Sequence, residues 1–121
     1  MSRKILVVDD DPGVVELLRF IFSSNQHQVI TAKDGRQALE KAKIEKPDVI
    51  FLDIVMPEMD GIETLQKLKS HRETSSIPVI MITGQQQITD IERCFSEGAA
   101  DYILKPFDKN LVLKKLEDVL K

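Results

Sequence analysis

The sequence contains one cysteine, Cys94, in 121 residues. A lone cysteine cannot build a disulfide framework or a cysteine-ligated zinc site, and it fits a reducing compartment. Long apolar runs are missing: the longest are about five residues, far below the roughly 18 that a membrane span needs. No run of Lys and Arg supplies a stripe that could track a phosphate backbone, and the formal net charge is −3. Neither a membrane nor nucleic acid is therefore expected as a direct partner. The opening Met1-Ser2-Arg3-Lys4 is basic, but only Ile5 to Val8 separate it from Asp9. That is no signal peptide, and a cytoplasmic location is expected. Linkers, low-complexity tracts and internal sequence repeats are also lacking.

The composition is that of one folded domain over residues 1–121. Apolar residues make up 42% and charged residues 31%, which argues against disorder. A chain of this length hides roughly two-thirds of its unfolded surface on folding.

What repeats is a pattern. Five short, β-branched-rich runs read as buried strands: Ile5 to Val8, Val29 to Thr31, Val49 to Leu52, Val79 to Ile82 and Tyr102 to Leu104. They are nearly continuous, as in a parallel sheet covered on both faces. Helical spacing links Leu17, Leu18, Ile21 and Phe22, then Ile62, Leu65 and Leu68. It returns in Ile88, Ile91 and Phe95, and in Val112, Leu116, Val119 and Leu120. A weaker helix between Asp34 and Lys46 shows Ala38, Leu39 and Ala42 as its apolar face. Asp11 before Pro12 reads as an N-cap with proline at the first helical position. Asp34-x-x-Gln37 and Asp60-x-x-Glu63 have capping-box spacing, and Asp108 can cap the last helix. Gly98 suits a left-handed position after the fourth helix. That helix could open at Gln86 or Thr89. The expected fold is α/β, a flavodoxin-like doubly wound (βα)5 parallel sheet of strand order 2-1-3-4-5.

Sheets of this kind bind and react at the carboxyl ends of their strands. There the sequence puts Asp9-Asp10-Asp11, Asp53, Thr83 and Lys105. Asp11 reads as a cap. Asp9, Asp10 and Asp53 are expected to converge, and two unit charges about 4 Å apart repel by roughly 4 kcal/mol at an effective dielectric near 20. Such a cluster raises its pKa values or binds a cation. With oxygen ligands only, Mg²⁺ or Mn²⁺ is expected before Zn²⁺. A carboxylate beside such a metal, with Lys105 and Thr83 opposite, suits nucleophilic attack on phosphorus and an acyl phosphate product.

At these residues the sequence closely resembles the receiver domain of two-component response regulators. The likeness runs from about Lys4 to Leu120. It rests on Ile5-Leu6-Val7-Val8-Asp9-Asp10, Pro47-Asp48-Val49-Ile50-Phe51-Leu52-Asp53 and Met56-Pro57-x-Met59-Asp60-Gly61. It continues in Pro78-Val79-Ile80-Met81-Ile82-Thr83 and Gly98-Ala99-x-Asp101-Tyr102-Ile103-Leu104-Lys105-Pro106-Phe107. Each motif alone is weak; all five in order are specific.

The resemblance implies that Asp53 accepts a phosphoryl group from a sensor histidine kinase or a histidine phosphotransfer protein. It implies Mg²⁺ held by Asp10, Asp53 and the backbone carbonyl of Val55, with Asp9 supporting through water. Lys105 is implied to pair the phosphate, and Thr83 to be the switch hydroxyl. Tyr102 is implied to be the aromatic switch, buried more deeply when Thr83 moves. A cis Lys105-Pro106 bond is implied as well. The 86–120 face is implied to present the signal to a downstream effector. Val55 offers no side chain to orient an attacking water, which favours slow autodephosphorylation, and Gly84 opens the pocket.

Other readings stand beside these. A Mg²⁺-dependent phosphatase of the haloacid dehalogenase type needs an acid/base Asp two residues after the nucleophile, where this chain has Val55. A flavin carrier needs a Ser/Thr/Gly-rich phosphate loop after the first strand, where Asp9-Asp10-Asp11 repels phosphate. A non-phosphorylated receiver-like binding module is the third. The chain is not expected to be an enzyme beyond its own phosphorylation and dephosphorylation. It fits a stand-alone receiver or one cut from a longer regulator. Read alone, Tyr102 is half-buried packing, Cys94 packs beside Phe95, and His27 and His71 lie on the surface. Gln85-Gln86-Gln87 reads as a solvated loop, and Lys33 to Lys46 as a solvent face.

Overall fold

A computed structural model of the chain describes residues 2–121, the side chain of Gln85 excepted. Met1, with which the expected domain and the leader reading begin, lies outside the described residues. The five apolar runs become the strands β1 (Lys4–Val8), β2 (Gln28–Ala32), β3 (Val49–Asp53), β4 (Val79–Thr83) and β5 (Asp101–Leu104). All pairings are parallel, in the order 2-1-3-4-5. The helices are α1 (Pro12–Ser24), α2 (Gly35–Glu45), α3 (Gly61–Ser70), α4 (Ile91–Ser96) and α5 (Lys109–Val119).

Alternation along the strands builds two cores. Ile5, Val7, Val49, Phe51, Ile80 and Ile82 face α1 and α5, where Leu18, Ile21, Phe22, Val112 and Leu116 pack. Leu6, Val8, Ile50, Leu52, Val79 and Met81 face α2, α3 and α4, where Ala38, Ala42, Leu65, Leu68 and Cys94 pack. From Ile5 onward in β1, and throughout β3 and β4, residues are therefore buried whichever way they point, so the runs are unbroken rather than alternating. Among the described residues no helix is long and apolar enough to cross a membrane.

The helix starts follow local chemistry. Asp11 accepts from the Gly13 amide, Asp34 from Gln37, Asp60 from Glu63 and Asp108 from Leu111. Each bond satisfies an amide that has no partner inside its helix. The Gln37 side chain returns to the Lys33 amide at 3.2 Å rather than to Asp34, one residue off the usual reciprocal box. Gly98 takes φ of +106° just after the C-cap Glu97, as its place in the sequence suggests. The Lys105-Pro106 bond is cis.

Three expectations need correction. Residues 85–90 form a 3₁₀ segment, Gln85–Asp90, rather than a loop, and α4 proper opens only at Ile91. His27 and His71 are both half-buried: His27 Nδ1 accepts the Arg3 amide at 3.0 Å, and its ring stands edge-on to Phe22. Lys41 leaves the solvent face of α2 and donates to the Thr31 carbonyl.

Register brings the strand ends level. Val8 lies opposite Leu52, so Asp9 stands beside Asp53. Asp53 lies opposite Ile82, and Thr83 opposite Leu104, so Thr83 and Lys105 come one step beyond. The main chain continues these ladders past the strands, with Ile54 donating to the Ile82 carbonyl and Lys105 to the Thr83 carbonyl.

Candidate functional site

Asp9, Asp10 and Asp53 each offer a carboxylate oxygen, and these oxygens all lie within 4.8 Å of one another. Asp9 and Asp53 are buried, whereas Asp10 is exposed at the mouth. The Lys105 ammonium sits 3.3 Å from Asp9 Oδ2 and 3.7 Å from Asp53 Oδ1. The two buried carboxylates therefore share one ammonium, and Asp10 adds a third negative charge beside them.

The electrostatic consequence falls on Asp53. Burial, followed by the Asp9 charge, pushes its carboxyl up to about 7, against the opposing pull of Lys105 and a Val55 backbone hydrogen bond. Asp9 Oδ1 accepts the Asp11 amide at 2.9 Å. Asp9 Oδ2 makes no hydrogen bond, the one such buried side-chain atom among the described residues. Its contact with Lys105 is one of charge alone. A buried carboxylate oxygen held by an ion pair without a hydrogen bond still has lone pairs to offer a second cation.

The donor set thus fits a hard divalent cation: oxygen ligands, net negative charge, a buried oxygen without a hydrogen bond and an exposed side at Asp10. A cleft of about 370 Å³ opens beside it, lined by Asp9, Asp10, Pro12, Thr31, Lys33 and Lys41.

Thr83 is fully buried at the end of β4, and its hydroxyl donates to the Gly84 carbonyl at 3.1 Å. A Cβ at Gly84 would lie 3.0 Å from Gln87 Oε1, so Gln87 borders the space that the glycine leaves. Val55 is 53% exposed, its side chain turned to solvent beside the acidic cluster. Tyr102 stands apart. It is half-buried at the start of β5, edge-on to Phe95 at 6.2 Å between ring centres, with Lys115 Nζ 5.2 Å from its own. Lys115 also pairs with Asp101 at 2.9 Å. Of the residues expected to act together, Asp9, Asp10, Asp53 and Lys105 are in one cluster, Thr83 is level with it, and Tyr102 is outside it.

Gly61 is the residue to which sequence reasoning assigned no role. Its amide donates to the Ile54 carbonyl at 2.7 Å, which folds the loop after β3 back onto the strand end. A Cβ at Gly61 would overlap the Asp53 carbonyl oxygen and come within 2.7 Å of Ile54 Cα. The only signal in the sequence was the glycine of the Met-Pro-x-Met-Asp-Gly motif.

The family model for the response regulator receiver domain matches residues 5–117. The chain belongs to this family. Receiver domains are signalling modules of two-component systems. The chain is 40% identical over 117 residues to protein PilH of Pseudomonas aeruginosa, covering 97% of each chain. It is 39% identical over 121 residues to the alkaline phosphatase synthesis transcriptional regulatory protein PhoP of Bacillus subtilis. That match takes in 100% of this chain and 50% of the relative, so the chain spans about half the length of that regulator. Among solved structures it resembles the receiver domain of sensor histidine kinase PA1611 from Pseudomonas aeruginosa, with a TM-score of 0.90 and 26% identity. The match covers 99% of this chain and 98% of that one, whose structure has a magnesium ion coordinated in the active site cleft. The acidic cluster of this receiver domain is compatible with Mg²⁺ binding and with phosphorylation.

Proposed function

We propose that this chain, as one receiver domain over residues 1–121, takes a phosphoryl group onto Asp53 and so switches its binding to a partner. The observation that carries the reading is the Asp53 carboxyl itself. It is buried at a strand end, pressed by the Asp9 charge, and has one ammonium 3.7 Å away.

The chemistry follows from those neighbours. An Asp53 carboxylate oxygen attacks phosphorus, and a new O–P bond forms. The P–N bond to a phosphohistidine donor breaks, its electron pair leaves with the imidazole, and that nitrogen takes a proton from water. Lys105 pairs with a phosphoryl oxygen, and the Thr83 hydroxyl turns to donate to another. Asp10, Asp53 and the Val55 carbonyl would hold Mg²⁺ or Mn²⁺, with Asp9 behind them, and the ion would neutralise charge on the transferring group. Asp53 must be ionised to attack, so its raised pKa ties uptake to pH and to whatever cation displaces its proton. Val55 has no group that could orient a hydrolytic water, which supports a long-lived phosphoryl group. Tyr102 and the 86–120 face then carry the change to a downstream effector. The donor is a sensor histidine kinase or a histidine phosphotransfer protein, met in the cytoplasm. The chain turns over no other substrate. An aspartate-nucleophile phosphatase is disfavoured because Val55 stands where such an enzyme needs a carboxylic acid.

The test is intact mass after incubation with Mg²⁺ and acetyl phosphate, with EDTA and Asp53→Asn as controls. The reading expects a gain of one phosphoryl mass that both controls abolish. No gain, together with a silent Mg²⁺ titration, would make the domain a binding module with an inert acidic site.

A further inference from the structure

Among the described residues methionine stands at 56, 59 and 81, and the fold treats one of the three differently. Met56 is 8% exposed and Met81 is fully buried, both in the core that faces α2, α3 and α4. Met59 is only half-buried. It forms one wall of a second cleft, of about 260 Å³, together with Asp34, Gly35, Arg36 and Glu58. A thioether is apolar and polarisable but open to oxidation, and its exposure governs how readily an oxidant reaches it.

Met59 ties the loop after β3 to α2. A Cβ at Gly35 would lie 2.8 Å from the Met59 sulfur and 3.2 Å from its Cγ, so this side chain rests in the space the glycine leaves at the start of α2. The same Cβ would overlap the Thr64 hydroxyl, so α2, α3 and the loop meet at the sulfur. Besides the buried Met56, the loop has few holds. Val55, Pro57 and Glu58 are exposed, and Glu58 sits at φ of +66°, which few residues other than glycine adopt. The Met59 amide closes a tight turn onto the Pro57 carbonyl at 2.8 Å. The hydroxyl nearest the sulfur is already in use, since Thr64 donates to the Asp60 carbonyl at 2.9 Å. An oxygen added to the sulfur would therefore enter a packed seat, where a polar atom without a partner is costly.

We propose that Met59 is a peroxide-sensitive anchor for the loop beside the acidic cluster. The thioether sulfur attacks one oxygen of hydrogen peroxide, an S–O bond forms and the O–O bond breaks. The departing hydroxide takes the proton left on the new sulfoxide oxygen and leaves as water. Sulfur gives up two electrons and the peroxide takes them. The sulfoxide then leaves the space at Gly35, and residues 55–59 come away from α2. The Val55 carbonyl travels with them, and cation binding weakens. Only that last step rests on the cation reading above; the oxidation and the release of the loop do not.

The experiment exposes the folded full chain to hydrogen peroxide and follows it by peptide mass mapping, amide exchange and Mg²⁺ titration. Met59 should gain one oxygen about tenfold faster than Met56 and Met81. Exchange of the Met59 and Gly61 amides, both bonded within the loop, should quicken about tenfold. Mg²⁺ binding should weaken roughly tenfold, and methionine sulfoxide reductase should restore it. Met59→Leu fills the same space without sulfur, so its loop and its Mg²⁺ binding should both survive peroxide. Met59→Gln puts a polar group there and should loosen the loop with no peroxide added. Oxidation of Met59 no faster than that of Met56 and Met81 would overturn the assignment. So would a loosened loop in peroxide-treated Met59→Leu. Slower exchange of the Gly35 and Arg36 amides on oxidation would overturn the release, because the sulfoxide would then stay in place as a cap on α2. A loosened loop with unchanged Mg²⁺ binding would overturn the link to the cation. A reduced protein that binds no Mg²⁺ would overturn the cation reading alone, and the exchange rates would still decide the release.

Discussion

The two ends of the sheet treat charge in opposite ways. At the amino ends of the strands charged groups have partners. Lys4 reaches Glu45 at 3.2 Å as well as the Glu45 carbonyl, and Asp48 accepts the Lys4 amide at 2.8 Å. At the carboxyl ends, Asp9, Asp10 and Asp53 crowd together, Lys105 pairs with Asp9 and Asp53, and one buried oxygen has no hydrogen bond. The same ladder of parallel strands supports both ends. The difference lies in how the charge is met: the amino end pairs its charged groups, and the carboxyl end leaves an acidic cluster compatible with a cation.

Relieving the unbalanced end should produce the largest change. Asp53→Asn should abolish phosphoryl uptake and, without metal, should stabilise the protein. In the unfolded chain Asp53 loses its proton near its ordinary 3.8, whereas in the fold it keeps it up to about 7. Between those values the native state binds more protons, so the metal-free protein should lose stability as pH rises from about 4 to 7, then hold level. Urea unfolding of the two proteins across this range, with and without saturating Mg²⁺, reads it. The difference should open with pH when metal is absent and close or reverse when it is present.

Lys105→Ala removes the one counter-charge and should cut the rate of uptake from acetyl phosphate by roughly 100-fold, the scale for losing a group that balances transition-state charge. Stopped-flow or timed mass measurements would show it. Gly61→Ala drives a methyl into the Asp53 and Ile54 backbone. It should cost about 2–3 kcal/mol of stability and weaken Mg²⁺ binding together, because the loop after β3 must move. The balanced end should respond least. Lys4→Met breaks a half-exposed pair and should shift stability by no more than about 1 kcal/mol, with uptake unchanged.

Much of this was legible in the sequence because it rests on local chemistry. The five strands announced themselves through Val and Ile runs, and the capping aspartates Asp11, Asp34, Asp60 and Asp108 sit where the helices begin. The site was readable because a parallel sheet reacts at its carboxyl ends, and the charged residues fall there. What was not legible depends on contacts between distant elements. His27 is surrounded by polar residues in sequence, yet Phe22 and the Arg3 amide bury it from other elements. Gly61 matters because α3 passes over the Asp53 carbonyl, a closeness that no spacing reveals. The stretch 85–90 reads as a loop running into a helix that opens at Gln86 or Thr89, whereas the chain closes there into 3₁₀ turns, the first through the Gln87 amide on the Gly84 carbonyl.

The central claim is that the unbalanced carboxyl end is a cation site. Calorimetric titration of metal-free protein with Mg²⁺ at pH 8 and pH 6 tests it most directly. The account predicts a single site with weaker binding at pH 6, where Asp53 holds its proton, proton release on binding at that pH, and loss of the site in Asp53→Asn. Absence of binding at pH 8, or binding that Asp53→Asn leaves untouched, would contradict it.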